Sequence, residues 1–178
     1  MEEQIDILDK DGNKTGEVRS KKEVHLRGDW HRTVHVWFLN SKGQLLLQRR
    51  SKNKETSPGK WDISAAGHIS ADQSSIEAAQ REVFEEIGVK IDISELIYID
   101  TVISDKTAKQ GAHIDREFND IYLVKRDLIL SELKLQESEV DEVKYVDIKD
   151  FEQWVQNKRD DLCNHSEEYQ KLLSFLKK

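Results

Sequence analysis

The chain has 178 residues, 35% charged and 37% hydrophobic, with a net charge of −7 and one cysteine. That length fits a single domain whose core needs no covalent staple. The acidic balance, with no Lys/Arg-rich run, argues against a nucleic-acid partner. The lone Cys163 excludes an internal disulfide and a cysteine-based zinc cluster, so a cytoplasmic location is expected. No apolar stretch approaches the roughly 20 residues of a membrane span, and the first residues show no signal-peptide pattern. A polyanionic small molecule stays possible, because a bound divalent cation inverts the local field.

Gln4–Leu8 alternates weakly and ends at the turn pair Asp11-Gly12, so a short strand opening a hairpin is expected. Thr33–Leu39 is β-branched and aromatic, a strong strand. After the turn Asn40–Gly43, the segment Gln44–Arg50 pairs back on it. Ser51–Lys60 holds the only proline and reads as a loop, and Trp61–Ala66 resumes as a strand. Residues 74–87 switch to helical period, with Ile76, Ala79, Val83 and Ile87 on one face. Ser74 with Glu77 forms a capping-box signature, and Gly88 fits the left-handed residue that ends a helix. Leu96–Ile103, Phe118–Val124 and Glu142–Ile148 read as strands, with a polar loop at Ser104–Glu117. Two amphipathic helices close the chain, near Lys149–Gln156 and Glu167–Leu176. Strands mixed with a few helices imply an α/β or α+β layered domain.

The informative stretch is Gly67–Val89. Glu82, Glu85 and Glu86 stand at i, i+3 and i+4, which puts three carboxylates on one helical face within one turn. They repel one another and sit near the helix C-terminus, where the macrodipole disfavours negative charge. A cation offsets both effects, and hard oxygen ligands suit Mg²⁺ or Mn²⁺.

The spacing of Gly67, Arg81-Glu82-Val83 and Glu85-Glu86-Ile87-Gly88-Val89 resembles the Nudix box, G-x5-E-x7-R-E-U-x-E-E-x-G-U, where U is aliphatic. One specified position departs, with Gln73 in place of the first glutamate. The segments HRTVHVWFLN, LLLQRR, PGKWDISAAGH and EFNDIYLV resemble a Nudix subgroup also related to type I isopentenyl-diphosphate isomerases. The resemblance implies an α/β/α sandwich with a mixed central sheet, one domain over residues 1–178 with its C-terminal helices at about 149–177. It also implies hydrolysis of a diphosphate linkage. Glu82, Glu85, Glu86 and the Gly67 carbonyl match the metal ligands. Glu82 or Glu86 helps activate the attacking water, and Arg81 orients the glutamates. Gln73 can still accept a hydrogen bond from Arg81 but removes one negative charge. Glu77 is assigned to the cap rather than to the metal.

Outside the box, Glu117 is expected as an auxiliary ligand or base, with Asp120 as the alternative. Arg49 or Arg50 grips phosphate; strand alternation lets only one of them face the site. His68 touches metal or phosphate, or serves as a structural hydrogen-bonding residue. His25, His31 and His35 read as scattered surface histidines, though a metal site among them is conceivable. Trp37, Trp61 and Phe118 read as core. The expected partner is a small-molecule diphosphate, a nucleoside diphosphate or its derivative by resemblance alone. Isomerase chemistry is disfavoured because Ala66 stands where the isomerases carry a cysteine, and Cys163 is in no comparable context. A non-catalytic nucleotide-binding domain is disfavoured by the retained glutamates. The apolar face of the last helix (Tyr169, Leu172, Leu173, Leu176) packs on its own domain or on a second copy, so a homodimer is allowed.

Overall fold

A computed structural model describes residues 2–107 and 113–178. Strand β1 (Gln4–Leu8) and β2 (Lys14–Ser20) form the first hairpin, and the short helix α1 (Lys21–Arg27) leads into β3 (Trp30–Leu39). β3 organises the sheet. On one side it runs parallel to β8 (Ile114–Lys125) along its whole length, from Trp30↔Arg116 to Leu39↔Lys125. On the other side it meets three antiparallel partners in turn. These are β1 at Leu8↔Trp30, β6 (Ala65–His68) at Thr33–Val36, and β4 (Gln44–Arg50) at Phe38–Leu39. β4 carries β9 (Val140–Asp147) on one edge, and β5 (Trp61–Asp62) pairs with its end at Gln48 and Arg49. β7 (Ile97–Thr107) pairs with the outer edge of β8.

β3 and β4 therefore touch only at Phe38–Leu46 and Leu39–Leu45 and then diverge. The segment Trp61–Ala66, read as one strand, falls in two short strands, Trp61–Asp62 and Ala65–His68, because each pairs with a different arm of this fork. The opening between the arms positions the site.

Alternation along β3 sends Val34, Val36 and Phe38 to one face and Trp37 to the other. Helix α2 (Ser75–Ile87) covers the first face with Ala78, Ala79, Val83 and Ile87, all fully buried, and Ile76 packs at the margin. Burying Val83 and Ile87 alone contributes about 1.5–3 kcal/mol each. α3 (Ile148–Gln156) and α4 (Ser166–Leu176) cover the second face, packing Phe151, Tyr169, Leu172 and Leu173 against Trp37, Leu45, Leu47 and Leu123. The expected three-layer α/β/α arrangement with a mixed sheet is thus present. The apolar face of α4 is spent on its own sheet, which removes that face as the ground for a second copy.

Three local expectations change. β2 is the second strand of the expected hairpin, whose bounds were not anticipated, and neither was α1. β2 is polar and largely exposed, so it lacks a hydrophobic alternation, while α1 carries the same capping box as α2, at Ser20 and Glu23, and ends on the left-handed Gly28. The polar stretch Ser104–Glu117 is mostly strand: β7 continues to Thr107 and β8 begins at Ile114. Cross-strand pairing such as Asp105 with Arg116 sustains a polar hairpin where hydrophobicity gives no sign of one. Residues 108–112 of that expected loop lie outside the described residues. No helix among the described residues is long and apolar enough to cross a membrane.

Candidate active site

Helix α2 begins and ends as its sequence dictates. The Ser74 side chain accepts from the Glu77 N–H, Glu77 accepts in return from the Ser74 N–H, and Gly88 closes the helix with φ 75°. Glu77 is occupied in this cap. The last turn and a half of α2 presents Glu82, Glu85 and Glu86 to a cavity of about 910 Å³ at the fork of the sheet. Glu82 and Glu86 are buried and Glu85 is exposed.

Gly67 allows this approach. A methyl group at Gly67 would overlap the Glu82 carboxyl group, so β6 must be bare where the helix leans on it. Glu86 Oε2 accepts from the Ala66 N–H (3.0 Å) and from Gln48 Nε2 (2.9 Å). Arg81 Nη1 lies 2.6 Å from Glu82 Oε1 and 3.1 Å from Glu85 Oε2. Its Nη2 donates to the His68 carbonyl (2.8 Å), and its Nε and Nη2 reach Gln73 Oε1 at 3.4 and 3.3 Å. Gln73 thus accepts from Arg81 as a neutral amide. Burial pushes Glu82 up to about 7, against the pull of Arg81. Burial, reinforced by Glu82, pushes Glu86 up to about 8. Burial of two carboxyl groups, with Arg81 as the one cation paired to them among the described residues, favours a further positive charge, and their hard oxygen donors fit a divalent cation of the Mg²⁺ or Mn²⁺ type.

A nitrogen-rich cluster borders the same cavity, with His25 and His68 in its wall and His31 fully buried beside them. His25, His31 and His68 offer ring nitrogens within 4.8 Å of one another. His31 Nδ1 donates to the Asp29 carbonyl (2.9 Å) and His25 Nδ1 lies 3.0 Å from Asp115. Such partners orient each ring and turn its Nε2 into the cluster, as they do for metal-ligating histidines. His25 Nε2 and His68 Nε2 face each other at 3.0 Å, and His31 Nε2 and His68 Nδ1 are buried without hydrogen-bond partners. Burial, then Lys21, holds His68 well below its usual pKa, so its ring is neutral. Glu117 Oε1 stands 3.5 Å from His31 Nε2, a long electrostatic contact rather than a hydrogen bond. Burial would raise Glu117, but His31 outweighs it and keeps the carboxylate ionised.

The reading of scattered surface histidines is therefore corrected: His25, His31 and His35 are all buried. The third member of the cluster is His68 rather than His35. His35 instead sits beside α4, with Nδ1 2.7 Å from the buried Glu168. Neither grouping is visible along the chain, because the antiparallel pairing of β3 with β6 brings His68 beside His31 and α4 returns Glu168 to His35 from 133 positions away.

Glu117 faces the cavity from within β8. Asp120 alternates to the other face, bound to Arg32 (2.8 Å) and Thr101 (2.6 Å). Of the two arginines ending β4, Arg50 lines the cavity and pairs with Asp62 (3.1 Å). Arg49 turns toward Trp61 and Glu142. Lys21, Lys54 and Lys106 also line the cavity, a cationic arc that sequence reasoning missed. The residue that opens α4, His165, lies 3.1 Å from Asp62. Cys163 lies in the same wall. Burial, then Asp62, pushes its thiol far up, so it stays protonated. Trp37, Trp61 and Phe118 are core residues, as expected.

A family model for the NUDIX domain matches residues 29–164. The chain is 37% identical to an uncharacterized Nudix hydrolase of Listeria monocytogenes, over 84% of this chain and 83% of that protein. It is 46% identical to Nudix hydrolase 3 of Arabidopsis thaliana over 84% of this chain, but that match spans only 20% of the plant protein's length. It is also 34% identical, over 69% of this chain and 66% of the other, to an isopentenyl-diphosphate Delta-isomerase of Serratia proteamaculans. The crystal structure of DR0079 from Deinococcus radiodurans superposes with a TM-score of 0.70 over 95% of this chain and 98% of that one, at 20% identity, a likeness of fold. With the family model spanning most of its length and relatives above 30% identity along most of it, the chain belongs to the Nudix hydrolase family.

Proposed function

We propose that the chain is one catalytic unit that hydrolyses a diphosphate linkage, in a nucleoside diphosphate or a derivative of one, in the cytoplasm. Glu82, Glu85, Glu86 and the Gly67 carbonyl would hold Mg²⁺ or Mn²⁺. The observation that carries the reading is the pair of buried carboxyl groups, raised to about 7 and about 8, on a cavity whose wall also holds Lys21, Arg50, Lys54 and Lys106 among further carboxylates. A bound divalent cation neutralises phosphate charge and lowers the pKa of a coordinated water.

The remaining steps belong to side chains. Arg81 fixes the directions of Glu82 and Glu85 through its two ion pairs. Glu86, held by Gln48 and the Ala66 N–H, keeps its Oε1 free to accept a proton from the attacking water. Arg50, oriented by Asp62, offers the rigid donor fork that suits a phosphate, and Lys21 and Lys54 add charge from the rim. Glu117 is an auxiliary carboxylate next to the histidine cluster, and His68 completes that cluster.

Isomerase chemistry gains one supporting observation, the position of Cys163 in the wall. Its protonated thiol and the Ala66 methyl group oppose it. So does the lining: among the described residues the wall carries Ile63 and Ala66 as its aliphatic side chains and no Phe, Tyr or Trp, a poor slot for a prenyl chain. His35, Asp62, Asn164 and His165 suit a hydroxyl-bearing group instead. The test is a panel of ribonucleoside diphosphates, sugar-linked nucleoside diphosphates and isopentenyl diphosphate with Mg²⁺ or Mn²⁺, scored by product. Monophosphate release from the nucleotides supports the proposal. Tight binding without turnover, or conversion of isopentenyl to dimethylallyl diphosphate, refutes it.

A further inference from the structure

The glutamate centre has an unusual rear wall. Arg81 spends Nη1 on Glu82 and Glu85, so its other nitrogens decide how firmly it is held back from them. Those nitrogens meet the His68 carbonyl and the Gln73 amide, both neutral, and one further carboxylate, Glu3, whose Oε1 lies 3.6 Å from Arg81 Nη2.

Glu3 is fixed where it stands. Its Oε1 accepts from Ser70 Oγ (2.9 Å), its backbone carbonyl accepts from the Lys21 N–H (3.0 Å), and its Oε2 lies 4.0 Å from Lys21 Nζ. The backbone next to it is pinned to the loop before α2 by the Ala71 N–H to Gln4 carbonyl bond (2.7 Å) and by the Ile5–Ser70 bridge. Ser70 also donates its N–H to Gln73 Oε1 (3.4 Å), so one residue ties Glu3 and Gln73 to the same spot behind the arginine.

An arginine between two anionic partners in front and a neutral amide behind is drawn forward. There it would neutralise the carboxylates that a cation needs. A negative charge behind balances that pull. We propose that Glu3, reaching in from the segment that opens β1, is a positioning residue that supplies the rear charge missing at Gln73. This rests on the reading of Glu82, Glu85 and Glu86 as the metal centre. Glu3 acts through Arg81 and is not assigned as a ligand.

The test is a double-mutant cycle in the full chain: Glu3→Gln, Gln73→Glu and the two combined. Mn²⁺ affinity is measured by calorimetry, and kcat and KM on a diphosphate that the unaltered protein turns over. Glu3→Gln is expected to weaken Mn²⁺ binding and lower kcat, each about tenfold, with KM within about twofold. Restoring the charge from the other side, in Glu3→Gln/Gln73→Glu, is expected to bring both within about threefold of the starting protein. A purely structural role for Glu3 would lower the melting temperature and leave the double variant no better than Glu3→Gln; that result overturns the proposal, as does an unaffected Glu3→Gln. If the unaltered protein binds Mn²⁺ yet hydrolyses nothing, the hydrolase reading falls while the affinity arm still decides Glu3. If it binds no Mn²⁺, the metal centre and this inference fall together.

Discussion

Replacing Glu86 by Gln tests the buried carboxyl group without any substrate. In the metal-free protein burial raises Glu86 from its ordinary 4.5 to about 8. The folded state therefore holds a proton that the unfolded chain releases. This contribution to stability is complete below the unfolded value and is lost as pH rises through the folded one. From about pH 5 to about pH 8 the loss is up to about 4 kcal/mol, at roughly 1.36 kcal/mol per unit. Glu82, raised to about 7, titrates in the same window and shares the loss, so the two behave as a pair. A glutamine can still accept from Gln48 and from the Ala66 N–H, and it never ionises. Urea unfolding in EDTA, followed by tryptophan fluorescence, should find the two proteins within about 1 kcal/mol at about pH 5. The variant should be more stable by about 2–4 kcal/mol at about pH 8.5. Mg²⁺ or Mn²⁺ should restore the unaltered protein at the higher pH and help the variant much less. Turnover by the variant should fall by about 10²-fold or more. Parallel stability profiles across this range would refute the reasoning, because they would mean that Glu86 ionises freely in the fold.

Gly67→Ala places a methyl group where the Glu82 carboxyl group lies. Stability should drop by about 1–3 kcal/mol and metal affinity more than tenfold, read by thermal unfolding and calorimetry; an alanine variant with unchanged affinity would remove the close approach from the argument. Arg50→Ala takes one of two cationic partners from the buried Asp62, leaving His165 and the Ile63 N–H, and should cost about 1.5–3 kcal/mol, whereas Arg49→Ala, whose partner Glu142 is exposed, should cost less than about 1 kcal/mol. Arg50→Lys, which keeps a charge beside Asp62, should raise the KM for a diphosphate, and Arg49→Lys should not. Equal effects at the two positions would show that alternation does not select the phosphate-facing arginine.

Local physics made much of this molecule legible in the chain itself. The span of α2, its cap at Ser74 and Glu77, its end at Gly88 and its apolar stripe all follow from interactions within a few residues, and so does the shared face of Glu82, Glu85 and Glu86. The strong strands Thr33–Leu39, which the structure extends back to Trp30, and Gln44–Arg50 are legible because their side chains are apolar enough to announce a buried sheet. The polar hairpin ends of β7 and β8 were missed because cross-strand partners, rather than hydrophobicity, hold them. Tertiary structure alone decided what surrounds the glutamates. The parallel pairing of β3 with β8 sets His31 beside Glu117, the fork of the sheet brings Asp62 and Arg50 to the cavity, and the segment leading into α4 returns Cys163 and His165 to its wall. Glu3, nearly eighty residues from Arg81, carries no local signature at all. Short-range periodicity and capping act within a turn or two, so one sequence shows them. The partners of a buried charge are chosen by which strands pair, and that choice appears only when the whole sheet has closed.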